Sequence, residues 1–209
     1  MPSNRFINLS ENKKEKIHRA LTNELKKHSY EHILISNIVR DAEISRGSFY
    51  QYFKNKDDFY FYFIDFIGKK KQTYMNIDDL HNPQIGFIEK LKHIIYASIE
   101  YGKSNYDYVK IGIQFNASTH PTIRTFVSKT IYDMQQLFEH WLSQDKTYQH
   151  IKNKTSICRY LADVMTYHTY YSPAQKTIEE LESDLLIFIK LLEGGITHVW
   201  SQRTNIYIP

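Results

Sequence analysis

Apolar residues recur along most of the chain at intervals of three and four. Ile17, Ala20, Leu21 and Leu25 form one such stripe, with the single charge of Glu24 inside it. That spacing predicts a helix with one buried face. The helix opens near Asn12, with Glu15 three residues on to complete a capping box. Ile35, Ile38, Val39 and Ala42 make a second stripe, only about two turns long. Ile44-Ser45-Arg46-Gly47-Ser48-Phe49 reads as a helix start, with Ser45 as N-cap and Ile44 packing on Phe49 as a hydrophobic staple. Asn55 with Asp58 opens another helix, whose early aspartates suit the positive end of the dipole. Farther on, Asn82-Pro83 and His120-Pro121 read as N-cap and first helical positions, and Pro173 follows a long helical run. Ile123, Phe126, Val127, Ile131, Met134, Phe138 and Trp141 line one face of a helix predicted over 121–143. Ile157, Leu161, Val164, Met165 and His168 line the next. Thr177 and Glu180 form a capping box for a last helix through Leu181, Leu185, Phe188, Ile189 and Leu192. The pattern predicts an all-α fold.

Composition supports this. Seven Gly and five Pro in 209 residues are about half the usual share, too few turn formers for a sandwich or barrel. The 17 Tyr, 12 Phe and 2 Trp can fill a sizeable core, which excludes global disorder. No run approaches the length of a membrane span, and the opening residues lack the apolar stretch of a secretory signal. With Cys158 as the only cysteine there is no internal disulfide. A cytoplasmic protein is expected.

Charge changes the picture more. Residues 1–56 carry 11 Lys/Arg against 6 Asp/Glu, whereas residues 57–209 carry 16 against 17. The positive excess sits in the first quarter of the chain, which fits either a solvated basic surface or a nucleic-acid-binding module on a near-neutral body. The local pattern favours the module. Residues 33–53 read as two short helices joined by Ala42-Glu43-Ile44-Ser45, a helix-turn-helix whose second helix enters the major groove. Arg46 suits guanine or phosphate, Gln51 suits adenine, and Ser48 suits base or backbone. Gly47 removes bulk where a helix terminus approaches phosphates. Tyr50 and Tyr52 offer hydroxyls beyond apolar rings, and Lys54 and Lys56 follow as point charges for the backbone.

The stretch from Ile44 to Phe59, Ile-Ser-Arg-Gly-Ser-Phe-Tyr-Gln-Tyr-Phe-Lys-Asn-Lys-Asp-Asp-Phe, resembles the signature of the tetracycline-repressor (TetR) family of bacterial transcription regulators. That pattern runs approximately V-S-x-G-[ST]-[LF]-Y-x-[YH]-F-x-[NS]-K-[ED]-x-[LF]. The resemblance implies an N-terminal three-helix DNA-binding domain over 1–55 and a larger C-terminal helical domain for ligand binding and dimerisation over 56–209, entered through a linking fourth helix. It implies a homodimer built from the last two long helices and a double-stranded palindromic operator as partner. Phe49 and Phe53 become core, while Arg46, Ser48, Tyr50, Gln51, Tyr52 and Lys56 face DNA. Many members carry Thr at the start of the second helix, where this chain has Leu34-Ile35-Ser36. The cap and phosphate contact made there are expected to pass to Ser36 or Asn37. Glu43 stands where the turn commonly holds Gly, so it is expected to take a strained left-handed conformation.

Residues 57–209 hold most of the aromatic side chains. Phe63, Tyr96, Tyr108, Phe115, Tyr132, Tyr167 and His168 are candidates to line a cavity for a small apolar or aromatic inducer, the alternative for each being ordinary core. Leu161, Met165, Leu181, Leu185, Phe188, Ile189 and Leu192 are the candidate dimer interface, on two helices paired through Pro173 as a hairpin and completed by a second copy into a four-helix bundle. No Cys/His cluster occurs, and no nucleophile elbow, metalloprotease or phosphate-loop motif. No metal, cofactor or catalytic residue is expected. The sequence therefore reads as a ligand-released repressor, with a same-fold regulator controlled by a protein partner, or by no ligand, as the alternative.

Overall fold

A computed structural model describes residues 2–170 and 177–198. Among them the chain is helical, without a strand: α1 (Asn4–Ile7), α2 (Glu11–Leu25), α3 (Ile35–Asp41), α4 (Arg46–Tyr52), α5 (Lys56–Gln72), α6 (Ile77–His81), α7 (Phe87–Ser104), α8 (Tyr106–Ala117), α9 (Pro121–Gln144), α10 (Lys154–Tyr170) and α11 (Ile178–His198). Single 3-10 turns occupy Tyr30–His32 and Lys146–Tyr148. The all-α expectation holds.

Capping chemistry explains several boundaries. Asn55 accepts from the Asp58 amide, and Thr177 and Glu180 exchange side-chain and backbone bonds in a reciprocal box. Pro121 opens α9, where its missing N–H costs nothing. Two expected starts differ. The first long helix begins at Glu11 behind Ser10, one position before Asn12, and no side-chain cap holds it. Asn82-Pro83 opens no helix; the Asn82 side chain accepts from the Gln84 amide in an Asx turn after α6. α7 begins only at Phe87, whose amide donates to Asp145. Pro173 lies outside the described residues.

The chain divides into two compact units, Met1–Tyr74 with Ser104–Thr125, and Met75–Lys103 with Phe126–Pro209. The first unit thus includes α5, α8 and the start of α9 together with the basic N-terminal helices. Its core gathers Ile17, Leu21, Leu25, Ile38, Phe49, Phe53, Phe59 and Phe63, all at most 1% exposed. α8 is fastened to the end of α2, with Lys26 paired to Asp107 at 2.7 Å and Gln114 donating to the Lys26 carbonyl. The second unit packs Phe87, Leu91, Ile95, Phe138, Trp141, Leu142, Cys158, Leu161, Ala162, Leu185 and Ile189 around one apolar core. On α9 the predicted stripe is buried at Ile123, Val127, Phe138 and Trp141, whereas Phe126 stands exposed.

Candidate nucleic-acid interface

The helix-turn-helix is built by two complementary helix ends. α3 closes in a Schellman motif: the Glu43 amide donates to Arg40 and the Ile44 amide to Val39. This motif demands a left-handed residue after the C-cap, and Glu43 supplies it at φ 56°. Among the described non-glycine residues only Glu43 has a positive φ. Its carboxylate is tied to Lys16 of α2 at 2.5 Å, a contact that also pulls its pKa down. Two residues on, Ser45 caps α4 by accepting from the Ser48 amide at 2.9 Å.

Inside α4, Phe49 is fully buried, and Phe53 follows it into the core, fixing which face turns out. Arg46, Gly47, Tyr50 and Gln51 are exposed on the other side, with Lys54 just beyond. The Arg46 guanidinium lies over the Tyr50 ring at 5.6 Å, so the two long side chains restrain one another. Ser48 is half-buried and shares a 2.9 Å hydroxyl contact with Ser45. Gly47 has open space: a Cβ there would meet only Ser45 Oγ at 3.7 Å. The fold itself gives no reason for a glycine at this position.

Tyr52 and Lys56 are less free. Tyr52 is half-buried, its ring edge-on to Phe6 at 5.9 Å. Lys56 reaches back over the Tyr30 ring at 4.6 Å and donates to the Glu31 carbonyl. Tyr30 in turn donates to Asp57, and burial with that carboxylate raises its pKa.

The start of α3 is held in an unforeseen way. Leu34 occupies the N-cap position without a side-chain bond, and Ser36 is exposed. The cap comes from Glu24 of α2, 5% exposed, whose carboxylate accepts from the Leu34 amide at 2.8 Å and the Asn37 side chain at 3.0 Å. Asn37 is therefore turned towards α2. The one available signal was the lone carboxylate inside the apolar stripe of α2, since such a group is buried only with partners. Phe6 and Ser3, which join α1 to α4, left no sequence signal.

The expected pocket residues are divided between the two units. Phe63, Tyr108 and Phe115 belong to the first unit: Tyr108 meets Phe63 edge-on, and Phe115 lies against Tyr60. Tyr96 and Tyr132 belong to the second unit and are exposed. The Tyr167 and His168 side chains lie outside the described residues, as does that of Leu181. Of the expected interface, Leu161, Met165, Leu185 and Ile189 are buried within the single chain, and Phe188 and Leu192 pack partly against the same core. Among the described residues, the large apolar side chains exposed on α10 and α11 are Tyr160, Ile187 and Leu191. A helix in a bundle carries two apolar faces, and their spacing alone does not say which one stays within the chain. Cys158 is buried, its thiol pKa pushed up to about 12 by desolvation. Among the described residues no group of His, Cys, Asp or Glu is placed to hold a metal, and no helix is long and apolar enough to cross a membrane.

Residues 17–63 match the model of the bacterial regulatory proteins, tetR family. No curated protein matches the sequence. Among solved structures, a TetR family transcriptional regulator from Chloroflexus aurantiacus is similar at TM-score 0.60 and 22% identity, over 97% of this chain and 94% of that one. A TetR-like transcriptional regulator from Rhodococcus sp. reaches 0.67 at 13% identity, over 91% and 100%. A transcriptional regulator from Aquifex aeolicus reaches 0.61 at 21% identity, over 86% and 99%. Residues 17–63 thus carry the helix-turn-helix module of that family, and the whole chain shares the fold of these solved regulators.

Proposed function

We propose that the protein acts in the cytoplasm as a homodimeric repressor, occupying a palindromic operator and leaving it when a small apolar or aromatic molecule binds. In this reading residues 1–55 read DNA and residues 56–209 regulate and dimerise. The carrying observation is α4: capped by Ser45, anchored by Phe49 and Phe53, and presenting Arg46, Tyr50 and Gln51 from the basic end of the chain. Ser36, Gly47, Ser48, Lys54 and Lys56 flank it as backbone contacts, with Tyr52 beside Gln51. Tyr160, Ile187 and Leu191 are the surface offered to a second copy, and a two-fold dimer reads two half-sites about 34 Å apart.

Selection of duplexes from a random-sequence pool tests the reading. An inverted repeat bound by two chains is expected, with affinity falling by orders of magnitude between about 50 and 200 mM salt. Failure to enrich any duplex, or salt-insensitive binding, refutes it. Ile187→Glu with Leu191→Glu is expected to give folded monomers by light scattering. The second reading, control by a protein partner, is favoured by the exposure of Tyr96 and Tyr132. A thermal-shift screen of apolar compounds separates the two, because an inducer must both stabilise the protein and weaken operator binding.

A further inference from the structure

The N-terminal helix α1 lies outside the matched family segment, yet it is bonded directly to the end of the recognition helix. The Ser3 amide donates to the Tyr52 carbonyl at 2.9 Å, and Ser3 Oγ donates to the Gln51 carbonyl at 2.6 Å. The last carbonyls of any helix lack intrahelical partners. Here two of them, at residues in the base-reading stretch, are covered by one serine. Phe6 anchors the contact, 2% exposed, with ring centroids 4.9 Å from Phe53 and 5.0 Å from Tyr62. Asn4 and Arg5 remain exposed between these two fixed points.

We propose that residues Ser3–Ile7 are an integral part of the DNA interface, Ser3 fixing the C-terminal turn of α4 and Arg5 contacting a backbone phosphate beside it. This rests on the DNA-binding reading above. Carbonyls left open at the end of α4 would turn partial negative charge towards the phosphate rows that flank a major groove about 12 Å wide. Ser3 occupies two of them with donors. Arg5 is two residues from Ser3, so its Cα lies within about 7.6 Å of the serine Cα. Held there by Ser3 and Phe6, its guanidinium adds positive charge at a helix end that otherwise repels phosphate.

Two variants of the full chain test this, read by fluorescence anisotropy on a duplex selected by the wild type and on an unrelated duplex of equal length. Ser3→Pro removes both donors, and the native φ of −72° is one that proline adopts freely. It is expected to weaken the selected duplex about 10-fold, the loss of one to two hydrogen bonds, and to leave the unrelated duplex unchanged. Arg5→Ala is expected to lower the slope of log affinity against log salt by about 1 per chain on both duplexes. Thermal unfolding should be unchanged in Arg5→Ala. Wild-type affinity and slope in both variants overturn the proposal while leaving DNA binding intact. A wild type that binds neither duplex overturns the DNA-binding reading, and this proposal with it.

Discussion

Glu24 is the residue whose removal should matter most for its size. Its carboxylate accepts two hydrogen bonds, from the Leu34 amide and the Asn37 side chain, at 5% exposure. A hydrogen bond to a charged group contributes about 1.5–3 kcal/mol, and a lost N-cap alone costs about 0.5–2 kcal/mol. Glu24→Ala removes both bonds at once. Leu34 and Ser36 are exposed, so water can reach the freed donors at the start of α3. The loss should therefore fall near the low end, about 2–3 kcal/mol, or roughly 4–12 °C in melting temperature for a chain of this size. The second arm adds a separate cap to other donors of the same helix end. Leu34 sits at the N-cap position in extended conformation, φ −108° and ψ 110°, where a threonine hydroxyl can accept from the helix amides. Leu34→Thr should add up to about 1 kcal/mol in the wild type and in Glu24→Ala alike, because its hydroxyl serves the amides of Ser36 or Asn37 and not the Leu34 amide and Asn37 side chain that Glu24 holds. Denaturant unfolding of the four proteins gives the coupling, and amide exchange at residues 34–37 localises it. A Glu24→Ala cost below about 0.5 kcal/mol, or amide exchange at residue 34 unchanged by it, refutes the assignment of Glu24 as the cap of α3.

Other consequences follow from the same geometry. Gly47→Ala should fold at least as stably as the wild type, with a gain of up to about 1 kcal/mol in helix propensity, because its Cβ meets only an ordinary contact at 3.7 Å. Its DNA affinity should nevertheless fall at least tenfold if Gly47 lies against the phosphates, as anisotropy will show. Glu43→Gly should raise the melting temperature by about 2–4 °C, since glycine takes φ 56° without strain. The advantage should grow at high salt, which screens the Lys16 pair that the wild type retains. His18 is held neutral by burial, its pKa pushed down to about 4, beside the Tyr62 hydroxyl at 2.8 Å. The unfolded chain takes up this proton near pH 6.5, so stability is full above that value and falls as pH drops from about 6.5 to 4. His18 is only partly buried, so solvent screening leaves on the order of 1 kcal/mol. His18→Phe should flatten that part of the stability curve, measured by urea unfolding.

Much of the DNA-binding module could be read from residue order because its determinants are local. Ser45 caps the helix that follows it, Asn55 caps the next, and Phe49 and Phe53 lie one turn apart on the same face. Glu43 has to adopt a left-handed conformation because of the two helices on either side of it in sequence. Each of these features depends on residues within a turn or two of one another. Their spacing along the chain already decides which bond forms.

The rest depended on which surfaces meet, and spacing carries no information about that. The cap of α3 comes from Glu24, ten residues upstream, and the end of α4 is closed by Ser3, 48 residues from Gln51. α8 joins the N-terminal helices through Lys26 and Asp107, 81 residues apart. On α10 and α11 the sequence determined that apolar faces exist. Only tertiary packing decided that Leu161, Leu185 and Ile189 turn inward while Tyr160, Ile187 and Leu191 remain outside. The physical reason is that hydrophobic burial is non-directional: a stripe must lie against some apolar surface, but its period does not identify the partner. That choice comes from the shape and volume of the remaining helices once they are assembled.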